Sequence, residues 1–220
     1  MQTATASAPL SAERANMADA AYASLHQMLL THRLPLDAPL SERNLAAELG
    51  ISRTPLREAL RRLEGEGLLT RQTGGLLFVK RIGVEEFLEV LQLRRLLEGE
   101  AAAGAAGRMP AGVIADLRAR IAALVAAGGR PDAARLKIDL NLHRAVVDAA
   151  GNASLARLLQ DLRRRMLLFA TPPAQPEQAC ADYLAILDAL ASGDAEAARA
   201  AMARHLDALR AGILRRLAAL

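Results

Sequence analysis

The stretch from Leu40 to Val79, which begins LSERNLAAELGISRTPLREALRRLEGEGLL, leaves this chain few folding options. Ser41 is placed to cap a helix whose apolar positions Leu45, Ala46 and Leu49 recur at helical spacing. Gly50 follows where a left-handed residue ends a helix at least cost. Ile51 packs the turn, Ser52 is placed to cap a second helix, and Pro55 is tolerated in its first turn. On that second helix Arg53, Arg57 and Arg61 fall at i, i+4 and i+8, with Thr54 beside them, while Leu56, Leu60 and Leu63 take the opposite face. Leu69–Arg71 and Leu77–Val79 then read as short strands joined around Thr73-Gly74-Gly75. One face of the second helix wants a core and the other wants phosphates and base edges. The pattern predicts a winged helix-turn-helix that reads DNA.

Charge placement says more than total charge. The chain of 220 residues carries a net charge of only +4, with 24% charged and 52% hydrophobic residues, a globular balance. Between Ser52 and Leu63, however, stand four arginines and one glutamate, a local +3. Lysine occurs only at Lys80 and Lys137. Arginine suits bidentate contacts to guanine and phosphate, but heavy Ala and Arg use is equally a base-composition bias of the coding DNA. Cys180 is alone, which excludes a disulfide framework and makes a reducing cytoplasm the expected compartment. No apolar run reaches the roughly 18 residues that span a membrane, and the N-terminus lacks a secretion-signal pattern.

The rest of the chain reads as helix. Residues 1–12 are expected to be a disordered tail, followed by a first helix from about Met17 to His32 with Ala21, Leu25, Met28 and Leu29 as its apolar stripe. The DNA-binding domain is expected over residues 13–81. Beyond Gly83, helices are predicted over Glu85–Ala106, Ala111–Ala127, Pro131–Ala149, Ser154–Ala170, Gln175–Ala191 and Asp194–Leu217. Gly107, Gly128-Gly129, Gly151 and Thr171-Pro172-Pro173 punctuate them. The fold class is therefore mainly α: an N-terminal winged helix-turn-helix, then an all-helical antiparallel bundle over residues 84–217.

The N-terminal third resembles the winged helix of GntR-type transcription regulators, on Leu40-Ser41-Glu42-Arg43-Asn44-Leu45-Ala46, on the run from Leu49 to Leu60, and on Leu63-Glu64-Gly65-Glu66-Gly67-Leu68. The C-terminal part resembles the all-helical FCD effector domain of the FadR branch. The marks are Leu93-Arg94-Arg95-Leu96-Leu97-Glu98, Asp139 with His143 followed by Gly151-Asn152, and Ser192-Gly193-Asp194 followed by Met202 and His205-Leu206. That resemblance implies DNA contacts at Arg43, Ser52, Arg53, Thr54 and Arg57, with Gly74 at the wing tip. Arg53 and Arg57 suit base edges in the major groove, and Arg43 and Ser52 suit phosphate. It also implies a homodimer on a palindromic operator in double-stranded DNA, a small carboxylate effector, and no membrane partner. Repression is the commoner mode in the family.

Asp139 and His143 lie four apart, on one face of a helix, spaced to chelate one ion. In metal-binding members two later histidines complete the site. His205 matches one, and Tyr183 stands where the other is expected. Three readings follow. Asp139, His143 and His205 can hold zinc, nickel or manganese with open positions for water or effector. Tyr183 can instead hydrogen-bond a ligand in a metal-free pocket. Or the polar cluster is a hydrogen-bonded core network. Arg94 matches an arginine that the family points into the pocket, and a buried Arg needs an anionic partner, which suggests the carboxylate effector.

An enzyme is not expected, because HExxH, GxSxG and Walker motifs are absent. The alternative is a metal-dependent enzyme using Asp139, His143 and His205 with the winged helix as its DNA-targeting module.

Overall fold

The computed structural model describes residues 10–31, 33–128, 132–169 and 176–219. Among them, α1 spans Leu10–Leu30, α2 Glu42–Leu49 and α3 Arg53–Gly65, followed by β1 over Leu69–Arg71 and β2 over Leu77–Val79. Six further helices follow: α4 (Val84–Ala105), α5 (Ala111–Ala126), α6 (Asp132–Ala150), α7 (Ala153–Met166), α8 (Pro176–Ser192) and α9 (Ala195–Leu217). No described helix is long and apolar enough to cross a membrane.

The chain packs as two compact units. In the first, Ser41 Oγ accepts from the Asn44 amide at 3.3 Å and caps α2 as read. Gly50 ends α2 at φ 64°, the left-handed conformation that a side chain would strain. Ser52 begins α3 with extended dihedrals, but its side chain makes no capping bond, which corrects the capping role expected of it. Its hydroxyl is left available on the surface. Leu56, Leu60 and Leu63 are at most 2% exposed, and α1 lies against α3 with Leu25, Met28 and Leu29 buried. Each such side chain contributes about 1.5–3 kcal/mol by leaving water. The arginine face of α3 is thereby held outward.

β1 and β2 pair antiparallel in the register Leu69↔Val79, Thr70↔Phe78 and Arg71↔Leu77. Gly74 and Gly75, at φ 89° and 81°, make the turn between them. The Leu40 amide donates to the Leu77 carbonyl at 2.7 Å, so the wing is tied to the entry of α2. Leu168 and Phe169, which follow α7, pack in this same unit, and the Ile82 amide donates to the Leu168 carbonyl at 3.3 Å.

The second unit is the helical bundle, with α4 at its centre. Helices α9, α6 and α7 pack on α4, while α5 lies on α6 and α8, and α8 on α9. Ala101, Ala102 and Ala105 of α4 are fully buried, small enough to let neighbouring helices come close. Asp194 caps α9, its carboxylate accepting from the Ala197 amide at 2.9 Å.

Two boundaries differ from expectation. The tail was expected to reach residue 12, but α1 already starts at Leu10. The run SAERANMADA is rich in good helix formers although its apolar stripe begins only later. Helix α7 ends at Met166 rather than running to Ala170. The expectations that fall on residues 1–9, on His32, Gly129 and Pro131, and on 170–175 lie outside the described residues.

Candidate DNA interface and effector site

All six residues expected to touch DNA lie on the surface of the first unit. Arg43, Ser52, Arg53, Thr54, Arg57 and Gly74 are exposed. Helix α3 projects Arg53, Thr54 and Arg57 because its alternate face is anchored in the core. Sequence reasoning missed Glu42, which shares a groove with Arg57, Leu60, Arg61, Glu64 and Arg71. Arg57 Nε donates to Glu42 Oε2 at 2.7 Å, an arrangement that holds the guanidinium by its inner nitrogen. Arg71 is occupied at the wing, donating to the Gly75 carbonyl at 2.8 Å and to Glu64 at 3.2 Å.

The second unit brings Arg94, Asp139, His143, Tyr183 and His205 together. Arg94 comes from α4, Asp139 and His143 from successive turns of α6, Tyr183 from α8 and His205 from α9. His143 Nε2 lies 3.3 Å from His205 Nε2 and 3.4 Å from Asp139 Oδ1, and the His205–Asp139 separation is 3.7 Å. A point equidistant from these three atoms is about 2.0 Å from each, the length of a bond from zinc to imidazole nitrogen. The donor set thus fits a divalent ion. Asn141 and Arg144, the neighbours of His143, are exposed and face away from it.

Tyr183 is not part of that donor set. Its hydroxyl donates to Asp139 Oδ1 at 3.0 Å, and burial together with the Asp139 charge raises its pKa, so it remains a phenol. His205 is buried, which opposes its charge, yet the neighbouring carboxylates of Asp139 and Asp182 outweigh burial and its pKa is pushed up to about 9. Its Nδ1 has no hydrogen-bond partner, and Asp182 stands 3.6 Å away.

The residue that sequence reasoning underrated is Glu98. It lies one turn beyond Arg94 on α4 and is 1% exposed. Arg94 Nε donates to its Oε1 at 2.6 Å, and its Oε2 meets His143 Nδ1. Burial works against its charge, but Arg94, then His143 and Arg163, outweigh burial and hold the carboxyl well below the usual range. The anionic partner that a buried Arg94 demands is therefore already present on its own helix. The i, i+4 spacing of Arg94 and Glu98 was the signal that could have revealed it. By holding Nδ1, Glu98 also turns the Nε2 of His143 toward Asp139 and His205.

Comparison with known proteins agrees with this two-part reading. Residues 17–79 match the model for bacterial regulatory proteins of the gntR family, and residues 89–208 match the FCD domain. A protein of Paenarthrobacter nicotinovorans named "Probable D-xylose utilization operon transcriptional repressor" is 36% identical over 80% of this chain and 79% of its own length. An uncharacterized HTH-type transcriptional regulator of Streptomyces ambofaciens is 31% identical over 86% of this chain and 81% of its own. The solved structure of E. coli McbR/YncC superposes with a TM-score of 0.79 at 25% identity, covering 91% of this chain and 98% of that one. The family consists of transcription regulators rather than enzymes, which sets aside the metalloenzyme reading. The chain belongs to the GntR family, with an FCD domain as its C-terminal part, and is a DNA-binding transcription regulator.

Proposed function

We propose that this regulator acts in the cytoplasm as a homodimer on a palindromic operator and represses transcription until a small carboxylate binds its C-terminal unit. The observation that carries the DNA half is α3, with its leucines buried and Arg53, Thr54 and Arg57 exposed on one face. Arg53, Thr54 and Arg57 read base edges, Arg43 and Ser52 meet phosphate, and Gly74 lets the wing backbone approach the duplex. One recognition helix buries little surface, so two copies on half-sites about one helical turn apart supply the specificity. Repression accords with the name of the P. nicotinovorans relative.

Arg94 and Tyr183 would meet the effector, with Asp139, His143 and His205 as the residues to hold a divalent ion such as zinc, nickel or manganese. That ion, when bound, supplies open coordination positions for an anionic group. Glu98 keeps His143 in the tautomer that presents Nε2, and Tyr183 orients Asp139 by donating to it. Effector binding then changes operator affinity through a coupling of about 1–3 kcal/mol.

Selection from a random duplex pool at moderate salt tests the DNA half. A two-fold symmetric site should be enriched, and Arg53→Ala or Arg57→Ala should each lose about 1–3 kcal/mol of discrimination at one base pair per half-site. A pool that yields no symmetric site would overturn the reading.

A further inference from the structure

The site in the second unit holds more buried guanidinium nitrogens than its contacts satisfy. Glu98 is one carboxylate shared by the Arg94 guanidinium, the His143 ring and Arg163. Arg163 Nε is 3.5 Å from Glu98 Oε1, too long for a hydrogen bond, and its Nε and Nη2 are both buried with no hydrogen-bond partner. A third arginine, Arg135, is 8% exposed, and its Nε is likewise buried without a partner. A guanidinium stays charged at any working pH, so these donors cannot be satisfied by losing a proton. Buried donors left open in this way cost free energy unless something fills them.

Their positions on the fold are informative. Arg135, Asp139 and His143 occupy successive turns of α6, so they form a row along one face. Arg163 stands at the His143 end of that row, through Glu98, and Arg135 stands at the other end. Between them, Asp139 is already engaged by the Tyr183 hydroxyl and faces both histidines. With Asp182 at the edge, the carboxylates Glu98, Asp139 and Asp182 offset the three arginines, and a divalent ion at the triad, in place of the His205 proton, would leave the site two charges positive.

We propose that Arg135 and Arg163 are two anion-binding points at opposite ends of this row, and that the effector is a short dicarboxylate with one carboxylate at each. This rests on the reading that the second unit binds a carboxylate, and it adds the second charge and the residues that select for it. Neither arginine follows from the family resemblance that singled out Arg94. Tyr183 lies toward the Arg135 end, its hydroxyl donating to Asp139 and in reach of the Arg135 guanidinium, so that the open donor of Arg135 is its Nε.

Calorimetric titration of the full-length, zinc-supplemented protein with matched pairs provides the test: succinate against butyrate, and glutarate against valerate. The better dicarboxylate should bind about tenfold or more tightly than its monocarboxylate match, the worth of a charge-assisted bond to a buried guanidinium. Arg135→Gln and Arg163→Gln should each cut the dicarboxylate-to-monocarboxylate affinity ratio about tenfold or more. Arg135→Lys, which keeps the charge and volume, guards against a folding defect and should retain part of the preference. Equal binding of the matched pairs, or an unchanged ratio in both Gln variants, would overturn the dicarboxylate assignment while sparing the carboxylate reading. If neither class binds the wild type, both fall.

Discussion

Replacing Glu98 with Gln removes the charge that Arg94, His143 and Arg163 share while keeping the side chain's shape. Glu98 is 1% exposed and Arg94 is 5% exposed, so no water is at hand to take over. Removing one partner of a buried ion pair costs about 3–5 kcal/mol, because the other charge stays behind unpaired. An exposed pair such as Arg95 with Asp207, 2.8 Å apart, contributes only about 0.2–1 kcal/mol. Against a total stability of about 5–15 kcal/mol for a domain, the Glu98→Gln loss is large. At roughly 3 °C per kcal/mol for a unit of this size, the melting temperature of the C-terminal unit should fall by about 10 °C. Differential scanning calorimetry of the full chain reads this, with Asp207→Asn as the exposed control expected to shift by no more than about 3 °C. The double variant Arg94→Met with Glu98→Leu should lose less than Glu98→Gln alone, since it strands one fewer guanidinium. A Glu98→Gln shift no larger than that of Asp207→Asn would refute the reasoning, because it would mean that the Arg94 charge is not held by Glu98.

Three other perturbations have defined outcomes. Glu42→Gln turns the charged contact to Arg57 Nε into a weaker neutral one and removes a negative charge beside the phosphates. Fluorescence anisotropy should show tighter binding to random duplex, less discrimination for the operator, and a salt slope steeper by up to about one. Gly50→Ala forces a side chain into φ 64° at a place where its Cβ meets nothing, so strain alone should cost about 1–2 kcal/mol, seen in the thermal unfolding of the N-terminal unit. Tyr183→His adds an imidazole beside Asp139, and chelator competition should show tighter zinc binding. Unchanged affinity would place residue 183 outside the ion's reach.

The first unit was legible because its pattern is local. Ser41, Gly50 and the α3 leucines each announce a cap, a stop or a core face within a few residues. Ser52 misled, since an extended residue ahead of a helix need not use its hydroxyl as a cap. The second unit was legible in its helices and only partly in its site. Asp139 and His143 share one helix, and their spacing alone places them side by side. Glu98 could have been paired with Arg94 by the same i, i+4 logic, but a charged residue on a helix usually faces water, and nothing local marks this one as buried. Arg163 lies in a run of three arginines whose inward member cannot be picked from the run itself. Arg135 became visible only when tertiary packing closed α6 and α8 around it, leaving its Nε without a partner.

Coupling between the two units is tested most directly by one paired titration. The operator obtained by selection is titrated with and without the carboxylate that binds most tightly, and that carboxylate is titrated with and without operator. Operator affinity should change by a factor between about 5 and 150, and the affinity for the carboxylate should change by the same factor, as linkage requires. A carboxylate that binds the C-terminal unit while leaving operator affinity unaltered would contradict the role of that unit as the sensor of this regulator.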